Sequence, residues 1–503
     1  MAGEDKPLKL VHCLTWDVPM VGGVARMDSY FYKFLSRDLV EPVFVATREK
    51  DFQKAVYAPI SYVYTGLDNR FDKLVELFRD ADIVQYYGGF APVVCEAAKA
   101  AGVPALIELM HVFESGLIFD YIDLSICVSE TVKKNQPDQK RARVVHNGID
   151  VDEYPFAEER ATNEGKIVIL QVGYRGKSII HLDDLADDIL ALDPRVELWL
   201  AGFNQTFAST DRIKYMGVQE NMAEIYRSAD ILFHFTKKEA FGLVVVEAMA
   251  SGCVPVVSET DGPSEIVTRG VDGFLAPKTD RRAVVAAVSE AVFMIGSERW
   301  ESIRLAGREK VENRFTIEKC VAEYEKIYID IITRKGRRSR PGPDKAEPTP
   351  EAEIGEAAVF LTNEHWDRAV KHILRMAEST QPIRVPLFGW AVAKVVKHAI
   401  FRKRNDLADL IYKKMYVSGF RDAQWMKDWF YITPPGNERK FILAELEKLY
   451  PDDPEIVMLM AERSIEAGNL IEALDILEKG ALKFPKSDEM LKTCELLKSK
   501  IGG

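Results

Sequence analysis

Over roughly the first 335 residues, short runs of aliphatic and β-branched residues alternate with longer stretches of helical periodicity. The short runs predict strands over Lys9–Cys13, Pro42–Ala46, Ile83–Tyr86, Ala105–Glu108, Leu124–Val128 and Val144–His146. A second series follows at Ile167–Val172, Glu197–Ala201, Ile231–Phe235 and Val254–Ser258. Helical stretches fall between them, among them Ser29–Leu39, Ala91–Ala101, Met222–Ser228 and Leu243–Ser251. Alternation on this scale builds parallel sheets wound on both faces. The strand series pauses at Asp150–Lys166, a stretch rich in Glu, Asp and Asn that reads as a hinge. The expected fold class is therefore α/β, with two Rossmann-like domains over residues 1–150 and 151–333.

After Thr333 the periodicity changes. Arg334-Lys335-Gly336-Arg337-Arg338-Ser339-Arg340, then Pro341, Pro343, Pro348 and Pro350, predict a solvated basic and proline-rich linker over 334–355. Residues 356–503 are almost wholly helical in pattern and predict an all-α domain. Within it, Pro454–Ser487 is similar to a tetratricopeptide repeat: Met460 and Ala461, Gly468 at the turn, Ala473 and Leu477, then Pro485. Such a helical domain is suited to a protein partner.

Composition narrows the function classes. At 503 residues the chain is too long for one core of ordinary size. A formal net charge of -11 argues against nucleic acid as the partner, since phosphate binding needs a concentrated basic face. The six cysteines are scattered without metal-ligand spacing, and several lie in apolar runs, as expected of free thiols in a reducing compartment. The first residues are polar and no run of about 20 apolar residues occurs, so a cytoplasmic protein without a membrane span is expected. The cationic stretches Arg334–Arg340 and Lys394–Arg404 are solvated faces or points of peripheral contact with anionic lipid.

The densest chemistry lies in Glu239-Ala240-Phe241-Gly242-Leu243, continued through Glu247 to Gly252. Glu239 falls on the loop after a strand, and Glu247 on the second turn of the next helix. Gly242 lets a ligand approach the backbone, and the helix start offers unpaired N–H groups and a positive dipole end to an anion such as a diphosphate. Carboxylates suit sugar and ribose hydroxyls, because each accepts more than one donor. Taken alone, the pair reads more readily as two solvated glutamates, as for any short motif.

The surroundings add a family resemblance. Glu239–Glu247, then Gly252-Cys253-Val254-Pro255, Gly262-Pro263-Ser264-Glu265 and Gly270–Pro277, resemble the E-x7-E signature of the retaining glycosyltransferases of family 4. Gly22-Gly23-Val24-Ala25, Asp82-Ile83-Val84, Gly102-Val103-Pro104, His111, Cys127-Val128-Ser129 and His146–Asp150 fall in the family's order, so the resemblance spans about residues 8 to 333. It implies the GT-B architecture, two Rossmann-like domains facing across a cleft. It also implies transfer of a hexosyl unit from a UDP- or GDP-linked sugar to an acceptor hydroxyl, with retention. The nucleotide sugar is a co-substrate; no further cofactor is implied. The acceptor is a saccharide, free or lipid- or protein-linked. By the same resemblance, Glu239 contacts the transferred sugar, Glu247 the ribose, and His111 a sugar hydroxyl. The backbone of Phe241, Gly242 and Leu243 faces sugar and phosphate, and Gly22 and Gly23 let the diphosphate or sugar close.

The loop Gly173-Tyr174-Arg175-Gly176-Lys177-Ser178 ends like a P-loop but has only two residues between its first glycine and Gly-Lys, where a P-loop has four. It departs from the family's Gly-Arg…Lys-Gly pattern as well, and Arg175 and Lys177 are the candidates for a diphosphate clamp. No Asp-x-Asp ends a strand, so no metal is expected; Asp150-Val151-Asp152 reads as capping or hinge structure. Two alternatives stay open: a nucleotide-sugar epimerase on the same architecture, and a non-catalytic scaffold acting through the helical domain.

Overall fold

The computed structural model describes residues 6–501 except 15–21, 50–59, 69, 88–91, 114–115, 117–119, 158–164, 174, 203–208, 338–341, 344–345, 363–364, 383–388, 452 and 486. The chain divides into two compact units, Met1–Glu347 and Pro348–Gly503.

The first unit holds two parallel sheets. One has seven strands: β1 (Leu8–Cys13), β2 (Val40–Ala46), β3 (Tyr62–Tyr64), β4 (Ile83–Tyr87), β5 (Ala105–Met110), β6 (Leu124–Cys127) and β7 (Ala142–Val144), in the order 3-2-1-4-5-6-7. The other has six: β8 (Ile167–Val172), β9 (Val196–Ala201), β10 (Ile213–Gly217), β11 (Ile231–His234), β12 (Val254–Ser258) and β13 (Phe274–Ala276), in the order 10-9-8-11-12-13. Renumbered from its own first strand, the second sheet repeats the 3-2-1-4-5-6 order, so both are doubly wound. The central strands are buried on both faces, as helices on either side of a parallel sheet require. Their largely apolar runs, interrupted at few positions such as Gln85 and Glu108, are what made them readable.

Eleven α-helices of this unit are described: α1 (Gly23–Phe34), α2 (Arg70–Phe78), α3 (Pro92–Ala100), α4 (Glu130–Lys134), α5 (Ala186–Leu190), α6 (Met222–Ser228), α7 (Leu243–Ala250), α8 (Pro263–Ile266), α9 (Arg281–Met294), α10 (Glu298–Arg314) and α11 (Ile317–Lys335). The helix predicted at Ser29–Leu39 instead begins at Gly23, because the glycine loop is itself the first turn. Strand β7 lies two residues before its predicted place. Strands β3, β10 and β13, absent from the sequence reading, are edge strands with less continuous burial.

The last helix departs from a simple division at 150. Although α11 falls in the predicted second domain, it packs on the first sheet: the Tyr324 ring lies 4.9 Å from Phe31, and Glu325 accepts from Ser36 N at 2.7 Å. Asp150 caps the short turn Val151–Glu153 through Asp152 N and pairs with Lys33 at 2.6 Å. All six cysteines are buried and free.

The second unit shows nine α-helices among its described residues, from Pro350 to Ile501. The segment compared with a repeat forms the helix pair Pro454–Glu466 and Leu470–Lys483, joined at Gly468, whose φ is 81°. Ala461, Ala473 and Leu477 are buried between helices.

Candidate active site

Each sheet has one point where strand order reverses, between β1 and β4 and between β8 and β11. Ligands of doubly wound sheets bind beyond the carboxyl ends of the strands at such points. The loop after β1 ends in Gly22 and opens α1; the loops after β8 and β11 carry Gly173–Lys177 and Thr236–Gly242. These segments converge. A Cβ built on Gly23 would lie 3.2 Å from Leu243 Cδ1, so the start of α1 abuts the start of α7. Gly22 has φ 129°, which only glycine adopts readily, and open space beside its Cα.

Helix α7 begins at Gly242, whose left-handed backbone (φ 108°) turns the loop into the helix. No side chain caps this end, which leaves its positive dipole end for a ligand. The Phe241 ring turns inward and packs 5.8 Å from both His146 and Phe315, so this residue faces the site through its backbone only. Leu243 is buried against Gly23.

Glu239 Oε2 accepts from Lys177 Nζ at 2.6 Å and from His234 Nε2 at 3.2 Å. Burial pushes its carboxyl upward, but the His234 hydrogen bond and the Lys177 charge outweigh that and hold it at about 2. Glu247 is held differently. Tyr226 donates its hydroxyl to Oε2 at 2.9 Å, and Arg26 Nε from α1 lies 3.5 Å from Oε1. Arg26 also reaches Glu153 at 3.2 Å and lies over the Tyr154 ring, 5.7 Å from its centroid. Glu247 is thus tied to the first sheet's helix, and Glu239 to the second sheet's strand end and loop.

His111 directly follows β5. Its Nε2 is buried without a hydrogen-bond partner, and its ring meets Tyr87 edge-on at 5.0 Å. Burial, with the nearby His12, pushes its pKa down to about 3, so it is neutral at ordinary pH. Behind it runs a buried relay. Tyr328 of α11 donates to Gln85 at 2.5 Å, Gln85 to His12 Nδ1 at 2.9 Å, and His12 Nε2 to Asp28 at 2.9 Å. Tyr87 also donates to Asp28, at 2.6 Å. Asp28 lies on α1, so the relay ties the glycine-loop helix to the Tyr87 ring that supports His111.

A second connection between the halves is Glu265 of α8. It accepts from Glu130 N, Thr131 N and Thr131 Oγ1, each at 2.8 Å, at the start of α4. Burial raises its carboxyl, but His146 and these donors lower it to about 2. The α8 approach needs Gly262: a Cβ there would lie 2.4 Å from Phe241 Cα.

The structure therefore brings together Gly22, Gly23, Lys177, Glu239, Gly242, Leu243 and Glu247. Of Arg175 it gives only the backbone, opening the single turn Arg175–Lys177; Tyr174 and the Arg175 side chain lie outside the described residues. So do residues 114–115 and 117–119, which follow Phe113. Sequence reading missed His234, Arg26, Tyr226 and the His12–Asp28 relay, and gave Glu265 no role beyond its place in the family resemblance. Only His234, five residues before Glu239 at a strand end, had a local signal. Among the described residues no group of three or more His, Cys, Asp or Glu could hold a metal ion. No described helix is long and apolar enough to cross a membrane.

Comparison with known proteins bears on the same segments. Residues 166–292 match the family model described as Glycosyl transferases group 1. The chain is 32% identical over 123 residues to the N-acetyl-alpha-D-glucosaminyl L-malate synthase of Bacillus anthracis; this spans 24% of the chain and 32% of that relative's length. It is 21% identical over 396 residues to the UDP-Gal:alpha-D-GlcNAc-diphosphoundecaprenol alpha-1,3-galactosyltransferase of Escherichia coli, 67% of the chain and all of that protein. Among solved structures, HepE of Anabaena in complex with UDP aligns with a TM-score of 0.54 at 15% identity, covering 64% of this chain and all of that one. Residues 166–292 are thus similar to the Glycosyl transferases group 1 family, and they lie in a GT-B fold with a helical unit after it in sequence.

Proposed function

We propose that the chain is a glycosyltransferase that moves a hexosyl unit from a UDP- or GDP-linked sugar to an acceptor hydroxyl, with retention at the anomeric carbon. The observation that carries this reading is the meeting of the α1 and α7 starts with Glu239, Glu247 and Lys177 at paired switch points. A diphosphate over the start of α7 meets its dipole end, and Lys177, with Arg175 beside it in sequence, supplies positive charge. Ionised Glu239 accepts sugar hydroxyls. Glu247, held by Tyr226 and Arg26, accepts a ribose hydroxyl. His111 offers its partnerless Nε2 to a further sugar hydroxyl.

In the reaction, the bond from the anomeric carbon to the diphosphate oxygen breaks and its electron pair leaves with the diphosphate. The acceptor oxygen bonds to the same face of that carbon, and its proton passes to the departing diphosphate. No protein nucleophile is assigned. The diphosphate's charge is met by cations and helix amides, so activity is expected to persist in EDTA; loss restored by manganese would count against this.

The acceptor is a saccharide, free or carried on lipid or protein. The Escherichia coli relative's name gives a diphosphoundecaprenol acceptor, which supports the lipid-linked class. A cytoplasmic enzyme meeting such a lipid would touch the membrane surface. In the second unit, Phe401 is 79% exposed beside exposed Lys397, Arg402 and Lys403, a composition suited to anionic lipid. Co-sedimentation with anionic vesicles tests that contact. The remaining helical surface is suited to a protein partner.

The test of the main reading screens UDP- and GDP-hexoses by thermal shift, then measures nucleoside diphosphate release with and without acceptor extracts. Stabilisation by one donor and acceptor-dependent release are expected. Donor conversion without acceptor would favour an epimerase, and no donor binding would leave a scaffold.

A further inference from the structure

Resting on the reading of Glu239 as the sugar-contacting carboxylate, we propose that His234 is a positioning residue that holds Glu239 in place while Lys177 is transferred to the donor's diphosphate.

Glu239 stands on a loop, where a side chain has no neighbouring turn to fix it. Its backbone is tied by Gly262 N, which donates to Glu239 O at 2.9 Å. Its carboxylate is tied by Lys177 and His234, and both contacts fall on Oε2. Among the described residues no group donates to Oε1, which leaves that oxygen for a ligand hydroxyl.

The two tethers differ in kind. The Lys177 side chain is 39% exposed on a long flexible stem, whereas that of His234 is 4% exposed at the end of β11. Strand β11 is locked in register on both sides, to β8 and β12, and His234 itself pairs with Val257. A diphosphate brings far more negative charge than one carboxylate, so it competes successfully for an exposed ammonium. When Lys177 turns to it, Glu239 loses its nearer partner. His234 cannot follow. An ionised carboxylate only accepts, so the 3.2 Å contact requires the proton on Nε2, and the same N–H continues to orient Oε2 after Lys177 has gone. His234 therefore does nothing for the nucleotide and everything for the carboxylate facing the sugar.

The experiment compares His234→Leu and His234→Gln with wild type in the full chain. The probes are UDP, GDP and the UDP- and GDP-hexose that stabilises wild type best. Leucine keeps the packing and removes the donor, while glutamine restores an N–H at a similar reach. His234→Leu should lower kcat for transfer by about tenfold or more. Its Kd for the nucleoside diphosphate alone should stay within about twofold of wild type, and His234→Gln should recover most of the rate. An unchanged kcat in His234→Leu would overturn the proposal. So would a parallel loss of nucleoside diphosphate affinity, or a Gln variant as slow as the Leu variant. If His234→Leu does not fold, the Gln variant and His234→Asn, whose shorter reach should leave the rate low, decide the question. Wild type that binds no donor in the panel would instead overturn the donor-site reading on which the proposal rests.

Discussion

Glu239 keeps its charge because a histidine and a lysine outweigh its burial, and His111 keeps its neutrality because burial is reinforced by the nearby His12. With these groups at about 2 and about 3, neither changes protonation near the ordinary histidine value of 6.5. The pH profile of kcat/KM should therefore show no acid limb near 6.5 from His111. His111→Ala should lower kcat by roughly tenfold to a hundredfold with little change in Tm, because its buried Nε2 makes no protein hydrogen bond to lose. Arg26→Met should raise KM for the donor more than it lowers kcat, since Arg26 orients Glu247 from across the cleft. The glutamates themselves were legible in the sequence, eight apart around a glycine. Arg26 and Tyr226 were not, because what gives them meaning is a contact with a residue more than twenty positions away.

At the scale of elements, the central strands were readable because burial on both faces demands unbroken apolar runs, and β8 and β12 begin and end where predicted. Edge strands lack that demand. β10, intermediate in burial at every position, carries Lys214 and Tyr215 and gave no run to find. Helix α1 was misread at its start because glycine is a poor helix former, yet at the first turn it supplies the close approach to Leu243. The short helices α4 and α8 matter through one side chain, Glu265. Its carboxyl sits at about 2 in the fold against an ordinary 4.5, so its stabilisation is complete above 4.5 and is lost as pH falls towards 2. Glu265→Gln should cost on the order of 1–3 kcal/mol at neutral pH. The gap in Tm between wild type and variant should close as pH falls through that window. A gap that stays constant would show that the charge is not what α4 recognises.

For the whole molecule, the boundaries in sequence and the packing in space differ at α11, and the predicted linker 334–355 runs into the buried first turns of the helix Pro350–Thr362. The break between the two sheets was legible as a pause in the strand series, but no local pattern tells which sheet a helix will choose. Helix α11 buries Val321, Tyr324, Ile327, Tyr328 and Ile331 and feeds Tyr328 into the relay that ends beside His111. A chain ending at Glu347 should therefore fold and bind donor, whereas one ending at Arg314 should not fold cooperatively in urea. In the proposed function, a nucleotide sugar lies between the starts of α1 and α7, with its ribose on Glu247. Calorimetric titration of UDP- and GDP-hexoses into wild type and Glu247→Gln is the decisive experiment. Wild type should bind one donor saturably, and the variant's affinity should be lower by about tenfold or more. Equal affinity in the two proteins, or no binding of any donor to wild type, would contradict that placement.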